Sequence, residues 1–352
     1  MRKVLMAILS ALAVVPASMA QSAASGSILS PNANMKLRQV AVIELPGRPG
    51  FDGVAFANGM LLIGHHGAGT VDIFDPIKRR LIAQVTGIDN PRGMASDPDS
   101  GLVYIATAGS NSITVVNSRT WKIEGSIGLK HAPESLLLLS HSKSLLVSNP
   151  ASRSVSLVST ESLGRAQAEL ATIDVQGHPQ QMAWDPLRKQ VYVALEDRNS
   201  VAVIDPAAPQ SPQREIHLSA SQPMSLIFEP NSRQLFVTVR YAVLQLDADT
   251  GAEISRVPAA AGADTLWYDA TSNILYAAAG DGSISIINVS SSRLTAQNEF
   301  HADVRGKTLA FDPASRFIYL TGGKEGRSKL VILRHGLPPV PAPETETAMK
   351  QP

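Results

Sequence analysis

The sequence predicts an all-β fold, a seven-bladed β-propeller of four-stranded antiparallel blades whose ring is closed by the N-terminal strand. Three observations lead to this prediction. An apolar strand with a large central side chain recurs seven times, at intervals of 40 to 46 residues. Turns that contain an acidic residue and proline precede many of these strands. The last unit lacks a fourth strand, and a spare strand precedes the first unit. Units of this length with four short strands are typical of propellers.

The repeated central strand is the clearest of these signals. It reads LVYIA, QVYVA and QLFVT in three of the units. Short apolar runs rich in β-branched and aromatic residues indicate strands. The central residues of the seven copies are Leu62, Tyr104, Leu146, Tyr192, Phe236, Tyr276 and Tyr319.

The strands on either side of the central strand also recur. The preceding strand ends in a turn such as SDP, WDP or FDP, where proline presets φ and aspartate can accept a backbone hydrogen bond. The following strand reads SITVVN, SVAVID or SISIIN, and a more polar fourth strand such as REIHL closes most units. The seventh unit ends at LVILRHG after three strands. We therefore expect residues 36–45 to supply its fourth strand and to remove the open sheet edges.

The 352 residues divide into four predicted segments. Residues 1–20 have the form of a secretory signal peptide, with Arg2 and Lys3 before an apolar run and a small-residue cleavage site. Residues 21–35 are predicted to be a flexible leader, 36–336 the propeller, and the proline-rich residues 337–352 a disordered tail. No later apolar run is long enough to span a bilayer, so we expect a secreted protein without membrane insertion.

Composition narrows the class of protein further. The 31 basic and 30 acidic residues give a net charge of +1, without the basic excess that polyanion-binding proteins usually carry. There is no cysteine, so core packing rather than disulfide bonds must stabilise the fold. These features suit a large monomeric domain in the bacterial periplasm.

Two segments resemble a known repeat. VYIATAGSNSITVVN (103–117) and VYVALEDRNSVAVID (191–205) are similar to the YVTN-type, WD40-like propeller repeat of secreted bacterial and archaeal proteins. The resemblance covers about residues 36–334 and implies the propeller fold. It also implies two alternative roles, because related propellers bind single-stranded DNA or accompany periplasmic redox enzymes. Since this fold hosts many activities, function has to be argued from the site.

The repeat register predicts which side chains meet at the central channel. Loops that enter the first strand of each blade lie on one face, over the channel mouth. One repeat position there carries charges of alternating sign on five consecutive blades. The seven equivalents are Asp52, Arg92, Glu134, Gln180, Met224, Asp264 and Lys307. They predict either a ring of mutual salt bridges or a polar mouth that binds a small ligand or a metal ion.

Other candidate ligand-binding residues lie near this position. His178 and Arg305 lie just before this repeat position in their units, and His65 and His66 lie in the sequence GHHGAG of the first blade. Adjacent residues of a strand point to opposite sides. We therefore expect at most one of the two adjacent histidines to face the mouth near Asp52, with the other on the blade surface.

No catalytic motif stands out, so we expect a binding protein rather than an enzyme, with no cofactor. The chain lacks a G-x-S-x-G nucleophile elbow, an H-E-x-x-H zinc motif and a P-loop. A calcium site built from Glu134, Asp52 and Asn149 stays open, as does a zinc-like site that uses His65. Such a site would be similar to that of the lactonase propellers, which hold one ion through carboxylates. A metal-dependent, lactonase-like hydrolase is therefore the alternative function.

Binding of single-stranded DNA would need basic side chains and aromatic stacking platforms on one face. Arg240, Tyr241 and Lys324 fall on the predicted face, but the near-zero net charge and 5% aromatic content weigh against it. We predict a ligand-binding or protein-interaction module whose partner is an unidentified small molecule or protein. The predicted site consists of Asp52, Arg92, Glu134, His178, Asp264, Arg305, Lys307, His65 and His66.

Overall fold

The computed structural model describes residues 36–211 and 213–335. The predicted signal peptide, leader and C-terminal tail lie outside the described residues. Within them, 28 strands form seven separate four-stranded antiparallel sheets, each of which is one blade. This confirms the predicted seven-bladed propeller. The helical turns of the described part are short, and none is long and apolar enough to cross a membrane.

The strands of the first four blades follow chain order from the channel outward. They are β2 (Val54–Ala57), β3 (Met60–His65), β4 (Thr70–Asp75) and β5 (Arg80–Thr86) in blade 1; β6 (Pro91–Asp97), β7 (Leu102–Thr107), β8 (Ser112–Asn117) and β9 (Ile123–Gly128) in blade 2; β10 (Leu136–Leu139), β11 (Ser144–Asn149), β12 (Ser154–Ser159) and β13 (Glu169–Asp174) in blade 3; and β14 (Pro179–Asp185), β15 (Gln190–Leu195), β16 (Ser200–Ile204) and β17 (Arg214–His217) in blade 4.

The remaining blades repeat the arrangement, except that blade 7 takes its outer strand from the start of the described chain. The strands are β18 (Leu226–Glu229), β19 (Gln234–Val239), β20 (Ala242–Asp247) and β21 (Glu253–Pro258) in blade 5; β22 (Ala263–Asp269), β23 (Ile274–Ala279), β24 (Ser283–Val289) and β25 (Leu294–His301) in blade 6; and β26 (Arg305–Phe311), β27 (Phe317–Lys324), β28 (Arg327–His335) and β1 (Leu37–Leu45) in blade 7.

The first described strand closes the ring as the sequence predicts. β1 pairs antiparallel with β28, from Leu37 opposite His335 to Leu45 opposite Ser328. The two ends of the described part of the chain therefore meet inside one sheet. This pairing satisfies the backbone groups of β28, which would otherwise form an exposed edge.

The core lies at the seams between neighbouring blades. Seven apolar clusters are present in the described residues, and each one joins the facing sides of two adjacent blades. The large central residues of the repeat supply these clusters; Tyr104, Tyr192, Tyr276 and Tyr319 are all fully buried. Burial of each such side chain contributes about 2 kcal/mol or more to folding. The repeat period thus reflects the spacing of the seams.

The turn between the first two strands ends in the left-handed region in every blade. Its last residue lies three positions before the central residue and adopts a positive φ, between 48° and 75°. The seven residues are Gly59, Gly101, Lys143, Lys189, Arg233, Asn273 and Arg316. In blade 4 the turn begins at Asp185, whose Oδ1 accepts hydrogen bonds from the backbone amides of Leu187 and Arg188. The acidic turn motif therefore sets this reversal of the chain.

Two of these residues with positive φ also connect neighbouring blades. Arg233 of blade 5 donates to the buried Asp185 of blade 4 at 2.8 Å, and Arg316 of blade 7 pairs with the buried Asp269 of blade 6 at 2.5 Å. Burial acts to raise the pKa of Asp185, but hydrogen bonds from Arg233 and backbone amides hold that pKa below its ordinary value. An arginine at this turn position therefore stabilises a seam.

Candidate functional site

The seven repeat-equivalent residues line one cavity at the channel mouth. We call these residues the mouth ring and the space that they enclose, about 530 Å³, the mouth cavity. The mouth ring consists of Asp52, Arg92, Glu134, Gln180, Met224, Asp264 and Lys307. All of them lie at or just before the innermost strand of their blades. The structure thus brings together side chains that are up to 255 residues apart in the sequence.

Glycines allow the backbones of blades 1, 2 and 3 to converge at this point. Gly53 has a φ of +67°, and a Cβ there would lie 2.1 Å from the carbonyl oxygen of Arg92. The backbone amide of Gly93 donates to the carbonyl oxygen of Glu134 at 2.8 Å, and a Cβ on Gly93 would lie 2.9 Å from that oxygen. Residues with a side chain would separate the blades here.

Ion pairs join most of the charged members of the mouth ring. Arg92 Nη1 lies 2.7 Å from Asp52 Oδ2 and 3.6 Å from Glu134 Oε1. Lys307 Nζ lies 2.5 Å from Asp264 Oδ2. The alternating signs thus produce mutual salt bridges, one of the two arrangements that the sequence predicts. The other predicted arrangement, a polar mouth that binds a ligand, is compatible with these ion pairs, because the same side chains border an open cavity.

Glu134 is compensated less completely than the other ring charges. Among the described residues, its carboxylate accepts no hydrogen bond, and its contact with Arg92 is longer than that of Asp52. Burial and the charge of Asp52 raise the pKa of Glu134 to about 7, against the opposing effects of Arg92 and Lys307. The mouth ring therefore holds a carboxyl group that titrates near neutral pH.

The other arc of the ring is less charged. Gln180 donates from Nε2 to Glu196 Oε2 at 2.8 Å, and Met224 completes the ring beside it. Apolar side chains that pack at the seams also border the mouth cavity: Val54, Met94, Leu136, Met182, Leu266 and Trp267. Ser135, Gln181, Thr265 and Thr308 add polar groups, so the cavity wall combines charged, polar and apolar surface.

The prediction for His65 is wrong, because this residue lies inside the protein rather than at the mouth or on the blade surface. It is fully buried, and its ring stacks on Phe51 at 4.3 Å between centroids. Its Nδ1 is 2.8 Å from Asp72 Oδ2, and its Nε2 is 2.8 Å from the Arg48 carbonyl oxygen and 3.2 Å from Ser328 Oγ. His65 therefore connects blade 1 to β28 of blade 7.

The Asp72–His65–Ser328 arrangement has the residue types of a hydrolytic triad, but its surroundings are structural. All three side chains are fully buried. Ser328 Oγ donates to the Gly47 carbonyl oxygen at 3.0 Å, and Asp72 also accepts from Thr70 and Gln84. With its hydroxyl held in this way and shielded from solvent, Ser328 is a bridging residue between blades. We call this set the closure network.

His66 and Arg305 lie beside the mouth cavity rather than in it. They border a neighbouring hollow of about 560 Å³, which shares Lys307 and Thr308 with the mouth cavity. Partial desolvation beside the hollow and the nearby Arg92 lower the pKa of His66. The expectation that one histidine of the pair faces the mouth region thus describes His66.

His178 lies outside both spaces. Its backbone amide donates to Asp197 Oδ1 at 2.7 Å, and its ring Nε2 is 3.9 Å from Asp197 Oδ2. Of the nine predicted site residues, the structure places five around the mouth cavity: Asp52, Arg92, Glu134, Asp264 and Lys307. In the part of the chain that the structure describes, no group of three or more His, Cys, Asp or Glu side chains could hold a metal ion.

Comparison with known proteins shows the fold alone. No protein-family model matches the chain. Its sequence also matches no curated protein. A solved chain of Hydrazine Synthase from Kuenenia stuttgartiensis is similar in structure, with a TM-score of 0.69 and 15% identity, covering 83% of this chain and 97% of that one. A chain of the Mitotic Checkpoint Complex gives a TM-score of 0.69 and 15% identity, covering 94% and 98% of the two chains.

Proposed function

We propose that this chain is a secreted ligand-binding propeller that holds a small molecule in the mouth cavity. One observation carries the proposal: seven blades contribute one equivalent residue each to a single cavity whose wall combines charged, polar and apolar side chains. The signal-like N-terminus, the lack of cysteine and the YVTN-like repeats support a place in the bacterial periplasm.

The ion pairs favour a small ligand over single-stranded DNA. Arg92, Lys307 and Lys324 each lie against a carboxylate on the same face, namely that of Asp52, Asp264 or Asp303. Their positive charge is thus compensated locally. Arg240 and Arg305 on this face form no ion pair among the described residues, but two separate cations do not form the continuous basic groove that a nucleic-acid backbone needs.

Native mass spectrometry tests the proposal. The purified protein is incubated with a low-molecular-mass extract of the source cells, desalted and measured next to an Arg92→Gln/Glu134→Gln variant. We expect a retained small-molecule mass on the wild-type protein and its loss from the double variant. Glu325→Gln removes an exposed charge from the same face and serves as the control. An empty wild-type protein, or equal retention by the double variant, would contradict the proposal.

A further inference from the structure

The charges of the mouth ring do not balance. It contains three carboxylates, of Asp52, Glu134 and Asp264, but two cationic side chains. Arg92 Nη1 lies closest to Asp52, at 2.7 Å, and Lys307 lies 2.5 Å from Asp264. Glu134 shares the Arg92 guanidinium with Asp52, at the longer distance of 3.6 Å, and is therefore the least compensated of the three carboxylates when it is ionised. Its side chain is 31% exposed, so a ligand in the mouth cavity can reach it.

We propose that the ligand of the mouth cavity is an amphiphilic amine, whose cationic nitrogen binds the Glu134 carboxylate while its apolar part enters the channel. This inference rests on the proposed function and adds the chemical class of the ligand. A protonated amine would supply the missing positive charge. An anionic ligand would instead have to draw Arg92 or Lys307 away from the carboxylates that hold them.

Apolar side chains in the cavity wall fit the apolar part of such a molecule. Leu136 follows Glu134 by two residues and also lines the cavity, as do Met94 and Met182 of the two adjacent blades. Flexible methionine side chains adapt to ligands of different shape. Trp267 lines the cavity as well and offers an aromatic surface to a cation or an apolar chain.

The charged groups around Glu134 make the affinity for an amine depend on pH. Asp52 and Asp264 favour its protonated form, whereas Arg92 and Lys307 favour its ionised form, and the resulting pKa is about 7. The pKa of His66, which lies near Asp52 and Arg92, is lowered, so this ring adds little positive charge at neutral pH. An alkylamine stays protonated throughout this range. Its affinity should therefore follow the ionisation of Glu134.

Three probes of matched length test the inference: n-hexylammonium, n-hexanoate and 1-hexanol. Binding is followed by ligand-observed NMR. We expect hexylammonium alone to bind clearly, with an affinity about tenfold weaker at pH 6 than at pH 8, because the ionised fraction of Glu134 falls by about that factor. Each added methylene, from butyl to hexyl, should tighten binding by up to about fourfold.

Two variants separate a direct role of Glu134 from a structural one. Glu134→Gln keeps the side-chain shape and should lose hexylammonium binding together with its pH dependence, while still unfolding cooperatively. Glu325→Gln removes an exposed charge on the same face and should bind as the wild-type protein does.

The outcomes distinguish the ligand class from the proposed function. If hexanoate or hexanol binds and Arg92→Gln/Glu134→Gln abolishes that binding, the amine class is wrong and the mouth cavity remains a ligand site. Hexylammonium binding that survives in Glu134→Gln overturns the inference, and so does a wild-type protein that binds none of the three probes. In these cases native mass spectrometry with cell extract decides on the proposed function separately.

Discussion

Glu134 shows how a residue that is placed for ligand binding can lower the stability of the fold. Its pKa is about 7 in the folded protein, because of burial and the charge of Asp52, against an ordinary value near 4.5. A carboxyl group whose pKa is raised on folding destabilises the folded state once it ionises. Stability is therefore lost as the pH rises from about 4.5 to about 7. Perturbed pKa values of this kind are common at functional sites.

Replacing Glu134 by glutamine should reverse this effect. We expect Glu134→Gln to melt about 2 °C or more above the wild-type protein at pH 8, because the variant has no charge to bury there, and this corresponds to at least about 1 kcal/mol. At pH 4 both proteins carry a neutral side chain and should melt together. Thermal unfolding followed by circular dichroism checks this. If the difference in melting temperature between the two proteins is the same at pH 4 and pH 8, the raised pKa is contradicted.

The two adjacent histidines offer a second residue-scale prediction. His65→Ala removes a buried partner of Asp72, of the Arg48 carbonyl and of Ser328, so we expect a loss of about 2 to 4 kcal/mol in the free energy of unfolding. His66→Ala removes an exposed ring and should change the free energy of unfolding by less than about 0.5 kcal/mol. Urea unfolding measures both. Equal effects would mean that the closure network does not stabilise the seam.

The mouth ring could be predicted from the sequence and the closure network could not, for a physical reason. The ring occupies one repeat position, so the period alone aligns its members. His65 binds partners 17 and 263 residues away, and no repeat in the sequence links them. One signal could have been found: strand pairing sets Ile63 opposite Asp72, so Asp72 lies diagonally across from His65 on the neighbouring strand.

At the scale of elements, the turn before the central strand combines strain with packing. Arg233 and Lys189 occupy equivalent positions with φ near +52° and +53°. A residue other than glycine is strained there by about 1 kcal/mol or more. The Asp-Pro motif predicts this turn. The need for Arg233 to reach Asp185 of the previous blade follows only from the packing of the blades.

Glycine at these two positions should have opposite effects. Lys189 is exposed, so Lys189→Gly should relieve strain and stabilise the fold by about 0.5 kcal/mol. Arg233→Gly relieves the same strain but leaves the buried Asp185 without its cation, so we expect a net loss of about 2 to 4 kcal/mol. Chemical denaturation compares them. Stabilisation by both substitutions would show that the ion pair across the seam contributes nothing.

At the scale of the whole molecule, the ring is held by seven apolar seams and one closing strand. The strand order was predictable because each blade repeats the same four-strand pattern, the last unit has three strands, and one spare strand precedes the first unit. The position of the mouth cavity followed from the same register. Its charges, distances and unequal pairing did not, because these depend on side-chain packing between blades rather than on periodicity.

Removal of the closing strand should disrupt the whole ring. A chain that starts at residue 47 lacks β1 and exposes the edge of β28, so we expect loss of cooperative unfolding and association into larger species. A chain that starts at Lys36 keeps β1 and should behave as a compact monomer. Size-exclusion chromatography with thermal unfolding compares the two. A stable, monomeric chain without β1 would show that the ring does not depend on its closure.

The central claim is that the mouth ring presents an incompletely compensated carboxylate to a ligand. The most direct measurement is an NMR titration of the Glu134 side-chain carboxyl carbon, with and without hexylammonium. The account predicts a pKa of about 7 in the free protein and a lower pKa when the amine is present. A pKa near 4.5 in the free protein, unchanged by the amine, would contradict it.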